Sequence, residues 1–578
     1  MTSRHPRHPS ATPQSVLTRR KLLLATATLA AASALEPPAG MGASVADAQP
    51  VSIPNMPAKN PFLADSVFPI THFNPAVTDA VAHAGPTSGR ALGDADVMTV
   101  ATLYTSSGTV KTIGGATIIV ASGIDGIRKI NATEKSFDLV SLLPYPGLEA
   151  LPERTTPAAL AALLAEADAA VAARDEAKII ALSKRLADRG LSRRYKRNGA
   201  LSLIDNEGFH YAGFGGVKIV KTTDDNDPGK PLRVAKVIDL AEELPPDLAS
   251  RASALSAFNM TYDGDIVAAA HGALFLLDRN LNVKGILGFP GEAIENSVAV
   301  DETGIYVVTS ERMLKIVWTG SRLSFDETDG GWQSEYNTMS REQATALGSP
   351  TQSGGSGTPP ALMGFGDDGD KLVVIADADP AGTNVVAFWR DKIPSGFRQK
   401  PGTKSARIAD QTRIDISRVT IEAPPNVLGN GVLVVNRSYP KPAADLWTDA
   451  MLSGVTRPAP TGAQKFTWNT QTKALDKAWV AKEVDNTDQG VPVVSAATGL
   501  VYFASKQQGR YECVALDWMN GEVRARWPFP DDSRKWNACG GSNVLLADGD
   551  FLLGGLFALK RVRAGNGSAP AALGRALR

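Results

Sequence analysis

Apolar and polar residues alternate along this chain in short runs, broken by turns rich in Gly, Asn and Asp. The clearest stretch is 499–527 (GLVYFASKQQGRYECVALDWMNGEVRARW). An apolar run at 500–503 meets a polar turn at Gly509, a second run at 511–516 ends at Asp517, and Asn520-Gly521 starts a third that reaches Trp527. Asn-Gly between alternating runs predicts a hairpin, because both turn residues tolerate positive φ. Three early runs read as strands, 97–104 (VMTVATLY), 116–121 and 126–130. Paired runs follow at 200–208 with 217–221, 259–268 with 273–278, 296–308 with 313–318, and 362–375 with 384–389. Further units open near Asn426, Val491 and Asn543.

Repetition decides the architecture. Seven or eight units of roughly 35 to 60 residues, each worth about four strands, predict the blades of a β-propeller. A ring protects the strand edges that an open row would leave bare. The last unit, 543–563, has few strands of its own, so pairing with 97–104 is expected to close the ring. The competing all-β architecture is a pair of sandwiches. Two segments break the pattern. Residues 49–96 are Pro-rich and irregular, and predict an extended arm lying over the domain. At 156–188 Ala, Leu, Glu, Lys and Arg dominate, Thr156-Pro157 is a helix start, and Leu160, Leu163, Leu164, Ala167 and Val171 share one face. This is a helix or helical hairpin inserted between repeats, a packing element or a cap over a pocket. The expected division is a signal peptide at 1–48, the arm at 49–96, a propeller at 97–565 with its helical insertion within 156–192, and a disordered tail at 566–578.

The leader supplies an address. Arg19-Arg20-Lys21 precedes a mildly apolar, Ala-rich run, and Ala46-Asp47-Ala48 has the small-x-small form of a signal-peptidase site. Paired arginines before a weakly hydrophobic stretch resemble the twin-arginine signal, so export to the periplasm or beyond is expected. No later run has the roughly 18 apolar residues of a membrane span.

Composition narrows the chemistry. Lys plus Arg and Asp plus Glu number 60 each, with no basic stripe, which argues against nucleic acid as a partner. Six histidines and two cysteines exclude histidine-rich copper, iron–sulfur and covalent haem sites. Cys513 and Cys539 fall in adjacent units and read either as a disulfide, suited to an oxidising compartment, or as two buried thiols. The histidines His72, His83, His210 and His271 show no triad spacing, and no G-x-S-x-G elbow occurs. Gly354 to Ala361 lacks the Lys of a phosphate loop, and the Asp clusters near 224–227, 367–370 and 531–532 read as solvated turns.

The stretch 499–527 resembles the repeat of the pyrroloquinoline-quinone (PQQ) type propellers, which ends in Ala-x-Asp-x-x-x-Gly-(Lys/Glu) followed by a Trp docked between blades. Ala515, Asp517, Gly521 and Glu522 fit, and the Trp arrives two residues late at Trp527. A looser copy spans 467–479 (TWNTQTKALDKAW), and the likeness covers about a quarter of the mature chain. The resemblance implies a quinoprotein-dehydrogenase-like propeller, with PQQ and Ca²⁺ as the cofactors to look for. Polar residues where blades meet the channel are the candidate metal ligands: Glu295, Asn296, Asn259, Asn426 and Asn543, with Thr358 at a comparable position. A ring of their oxygens suits Ca²⁺, which takes six to eight. Such a centre fits a quinone-dependent oxidoreductase of a small organic substrate, or a calcium-dependent lactonase or esterase. Asn and Asp at strand starts also serve turns by bonding backbone groups. A third reading is a non-enzymatic periplasmic scaffold presenting the arm, the helical insertion and the loop 328–360 to a protein partner.

Overall fold

The computed structural model describes residues 56–187 and 198–565, apart from 251, 253, 350, 352, 367, 368, 418, 420 and 444. The expected signal peptide, the end of the insertion at 188–192 and the tail at 566–578 lie outside the described residues.

Alternation becomes sheet in blade 7. Leu500–Gln507 and Arg510–Asp517 pair antiparallel across Gln508-Gly509, both with positive φ (52° and 86°), and Val523–Pro528 adds the outer strand. Two left-handed turn residues match the twist of the flanking strands. Eight such sheets form the ring. Blades 1 to 8 take residues 109–143, 202–239, 255–288, 299–335, 361–413, 426–485, 493–528 and 544–562 in turn. The chain is therefore an eight-bladed propeller, which settles the count left open between seven and eight. Closure follows the expected route: Val97–Thr105 becomes the outer strand of blade 8 by pairing antiparallel with Gly555–Val562. Tryptophans bridge neighbouring blades. Trp527 Nε1 donates to Ala564 O (3.0 Å), and Trp332 Nε1 to Arg390 O (2.8 Å).

The insertion is a helical hairpin. Helix α1 (Pro157–Ala172) starts at Thr156, whose hydroxyl accepts from Ala159 N, and α2 (Glu176–Leu186) starts at Asp175, which accepts from Lys178 N. Side-chain oxygens thereby satisfy amides that have no partner within the helix. Leu160, Leu163, Ala167 and Ala170 of α1 pack with Ile179, Leu182 and Leu186 of α2, with Trp447, Met451 and Leu452, and with Leu103 and Phe557 of blade 8. Leu164 and Val171, expected on the same face, pack only partly against it.

The arm departs from expectation. Residues 68–83 do not lie over the domain but fill the central channel, whereas 86–92 cross blade 7 to its outer strand, where Leu92 N donates to Pro528 O. Backbone carbonyls of Phe68, Pro69, Pro75, Ala76, Thr78 and Asp79 accept from Val110, Ile204, Val300, Leu362, Val427 and Val494, the inner strands of blades 1, 2, 4, 5, 6 and 7. Asn259 of blade 3 donates its amide to Pro75 O (3.0 Å), and His83 Nε2 meets Leu545 O of blade 8 at 3.0 Å. One segment thus bonds all eight blades. Ala80–Val81 also forms a parallel strand on Val493–Ser495. The segment curls by taking positive φ at His72 (70°), Phe73 (70°), Val77 (56°) and Asp79 (48°). Phe68, Ile70, Phe73, Ala76 and Val77 are buried, and that apolar burial offsets the strain of left-handed L-residues.

Candidate functional site

With the channel plugged, one end of the ring is a blind funnel. Its cavity of about 1130 Å³ is lined by the segments that lead into the inner strands and by loops on the same face. A repeated backbone device builds the mouth. Glu295, Gly357, Glu422, Gln489 and Gly540 each stand four positions before an inner strand, at Ala299, Ala361, Asn426, Val493 and Val544. Gly357, Glu422, Gln489 and Gly540 all have positive φ (66°, 56°, 56° and 77°). These four left-handed residues bend the chain just before the strand begins. At Gly357 no side chain fits, because a Cβ would lie 2.0 Å from Thr351 Cγ2.

On one wall these positions interlock. Asn296 Oδ1 accepts from Ser297 N (2.9 Å), which fixes the amide orientation. Its Nδ2 donates to Gly357 O (3.0 Å), Glu422 O (3.2 Å) and Glu422 Oε1 (3.2 Å). Arg437 Nη1 donates to Glu422 Oε2 (3.2 Å), and its other nitrogen, Nη2, to Gln489 O. Glu295 Oε1 accepts from Ser353 N (3.2 Å). An upper wall comes from the loop between the second and third strands of blade 6, with the helix Leu446–Leu452 inside it. Tyr439 Oη donates to Thr487 O (2.6 Å), and burial holds this phenol well above its usual range. Asp449 accepts from Ala443 N (2.6 Å), and burial pushes its carboxyl up to about 6. Arg457 clasps Glu176 of α2 (2.7 and 3.1 Å), so the hairpin braces the wall. The floor is the plug itself, through Phe68, Thr71 and His72. His72 Nδ1 lies 3.2 Å from both carboxylate oxygens of Asp79, which is fully buried.

The five candidate ligands do not converge. Glu295 and Asn296 line the funnel. Asn259 gives its amide to Pro75 O and Val298 O, and Asn426 to Pro492 O; both are buried. Asn543 is buried beside Gly490. Thr358 is enclosed, bonding Ser356 and the amide of Ala376. Asn259 and Asn426 thus satisfy backbone groups, as such residues commonly do, whereas the Asn543 side-chain amide has no hydrogen-bond partner among the described residues. Among the described residues no three His, Cys, Asp or Glu side chains form a metal cluster. At the funnel wall Asn296 turns nitrogen toward Glu422, and Arg437 already supplies that carboxylate with a positive charge. This donor set does not fit Ca²⁺, which needs converging oxygens. Nor does it fit the trianionic quinone: the described lining holds Glu295, Glu422, Asp445 and Asp449 against Arg341 and Arg437. Cys513 and Cys539 are free, buried thiols in separate apolar clusters, so the disulfide is not formed. Burial raises both thiols above their ordinary range.

Glu422, Arg437 and the His72–Asp79 pair were not singled out in the sequence. Glu422 had a usable signal, since it precedes its strand by the same offset as Glu295. His72 and Asp79 had none, because the plug that joins them has no periodic pattern.

No protein-family model matches the chain. An uncharacterized protein of Archaeoglobus fulgidus is 29% identical over 288 residues, 46% of this chain and 52% of that protein. The chain thus spans about half the length of that curated relative. Among solved structures, a quinohemoprotein alcohol dehydrogenase from Comamonas testosteroni is similar with a TM-score of 0.48 and 10% identity, over 89% of this chain and 82% of that one. A europium-containing methanol dehydrogenase gives 0.44 and 9%, over 86% and 91%. Sqt1 of Saccharomyces cerevisiae gives 0.34 and 12%, over 60% and 76%. At these identities they are likenesses of chain path and assign no residue a role.

Proposed function

We propose that this is an exported propeller whose blind funnel binds a small hydroxylated organic molecule. The observation that carries the reading is the interlocked wall of Glu295, Asn296, Glu422 and Arg437 over a closed floor, in a lining rich in Ser and Thr hydroxyls. Carboxylates and amides held in place by their own partners recognise hydroxyl groups without reorganising, which keeps the cost of binding low. A scaffold has less support. From Phe68 onward the arm meant to present a surface is largely buried in the channel, and α1 and α2 spend their apolar faces on the rim.

Titration of the purified protein with a panel of sugars, polyols and alcohols tests the reading. A saturable calorimetric signal is expected, weakened at least about tenfold by Glu295→Gln, the cost of one charge-assisted hydrogen bond. Asn296→Ala removes both the amide and its brace on Glu422 and is expected to cost more. No signal across the panel with intact protein would reject the funnel as a small-molecule site.

The repeat of blade 7 favours one second reading, an oxidoreductase of the quinoprotein type. Ala515 and Asp517 end its middle strand, Gly521 turns at φ 76°, and Trp527 docks on Ala564 just past blade 8. Adding PQQ and Ca²⁺ and following dye reduction with the same panel separates the two readings; the lining described above predicts no reduction. Export is tested by fractionation, where Arg19→Lys with Arg20→Lys is expected to trap the unprocessed chain in the cytoplasm.

A further inference from the structure

We infer that His72, oriented by Asp79, is the proton acceptor of the funnel. The inference rests on the reading of the funnel as a small-molecule site and adds a catalytic residue to it. His72 ring nitrogen Nδ1 faces both oxygens of a carboxylate with no solvent exposure, at 3.2 Å each. A fully enclosed carboxylate beside one ring nitrogen holds the proton on that nitrogen, which fixes the tautomer and leaves Nε2 as the lone-pair acceptor. His72 is a residue of the cavity floor with 9% of its side chain exposed, whereas Asp79 does not line the cavity. The histidine therefore stands nearer the cavity than the carboxylate that orients it.

The backbone supports a functional assignment. Both members sit in left-handed conformation, at φ 70° and 48°, as do Phe73 and Val77 between them. Left-handed residues other than Gly are uncommon, and a β-branched one is a true outlier. Four strained residues in eight positions cost several kcal/mol together, at roughly 1–3 kcal/mol each. A plug needed only to fill the channel could use glycine at these places. Here the strain sets His72 and Asp79 face to face.

In the proposed step the O–H bond of a ligand hydroxyl breaks, and its proton forms the Nε2–H bond. The electron pair stays on oxygen, and the imidazolium returns the proton when the step reverses. Asp79 meets the charge of the resulting imidazolium while Nδ1–H continues to donate to it.

Two measurements test this without any ligand, so their outcome is independent of whether the ligand panel succeeds. Histidine ¹⁵N spectra of the labelled protein at neutral pH are expected to place His72 in the Nδ1–H tautomer. His72→Gln assigns the signals, and Asp79→Asn shifts them toward the other tautomer. Should either variant fail to fold, diethyl pyrocarbonate applied to unmodified protein and read by peptide mass mapping serves alone. Carbethoxylation at His72 is expected, with His210, enclosed between Ser122 and Thr222, at least about tenfold slower. An Nε2–H tautomer at His72, or a His72 no more reactive than His210, overturns the assignment.

Discussion

At the scale of single residues, the left-handed position before the inner strands of blades 5 to 8 shapes the funnel wall. Gly357→Ala puts a methyl group against Thr351 and forces an L-residue into positive φ. A loss of about 1–3 kcal/mol is expected in chemical denaturation, with weaker ligand binding, because Asn296 loses a well-placed acceptor. A different residue sets the alkaline behaviour. Lys560 is enclosed in blade 8, where Nζ donates to Asn537 O (2.6 Å), Ala558 O (3.0 Å) and Gly554 O (3.1 Å). Burial lowers its ammonium to about 7. Between that value and the unfolded value near 10.4 the unfolded chain holds the proton and the folded chain does not. Stability from this group therefore rises from pH 7 toward pH 10, and below pH 7 the full cost of a buried charge remains. Lys560→Met should flatten the rise, read as urea midpoints at pH 7 and 9 for both proteins. Glu295 and Asn296 were legible in the sequence because polar residues stand out before an apolar strand. Asn259, Asn426 and Asn543 carry the same signal, but their burial and the carbonyls facing Asn259 and Asn426 appear only once the blades are assembled.

At the scale of elements, strands and helices followed from period, and the arm did not. Alternation at 500–503 and 511–516 becomes strand because each face meets another sheet, and Thr156-Pro157 starts a helix as its chemistry requires. The arm passes from blade to blade at uneven steps of one to six residues, so neighbouring side chains face changing surroundings and no period survives. Ile70, with no solvent exposure, is a fair probe of that burial. Ile70→Ala is expected to cost about 2–5 kcal/mol, as is Leu163→Ala under the helical hairpin. The second change also loosens the funnel wall through α2 and Arg457, so it should weaken ligand binding as well as lower the melting temperature. Limited proteolysis should spare residues 62–81 despite their Pro-rich, irregular sequence. Cutting there at low protease concentration would contradict a buried plug.

At the scale of the molecule, the ring is closed by the two ends of the folded chain. Removing residues 555–562 leaves Val97–Thr105 without its partner and bares the edge of blade 8. Aggregation instead of a shorter soluble protein is the expected result, measured by size exclusion. Repeat proteins whose units touch only their neighbours can melt piecemeal from any weak unit. The plug removes that freedom. It acts as an axle fixed to every spoke, so the loss of one blade loosens the hub for the other seven. Melting should then be one all-or-none transition, with calorimetric and van't Hoff enthalpies agreeing despite the length of the chain. Because the axle comes from the N-terminal arm and the last spoke from the C-terminal strand, no partly synthesised chain can hold the finished wheel.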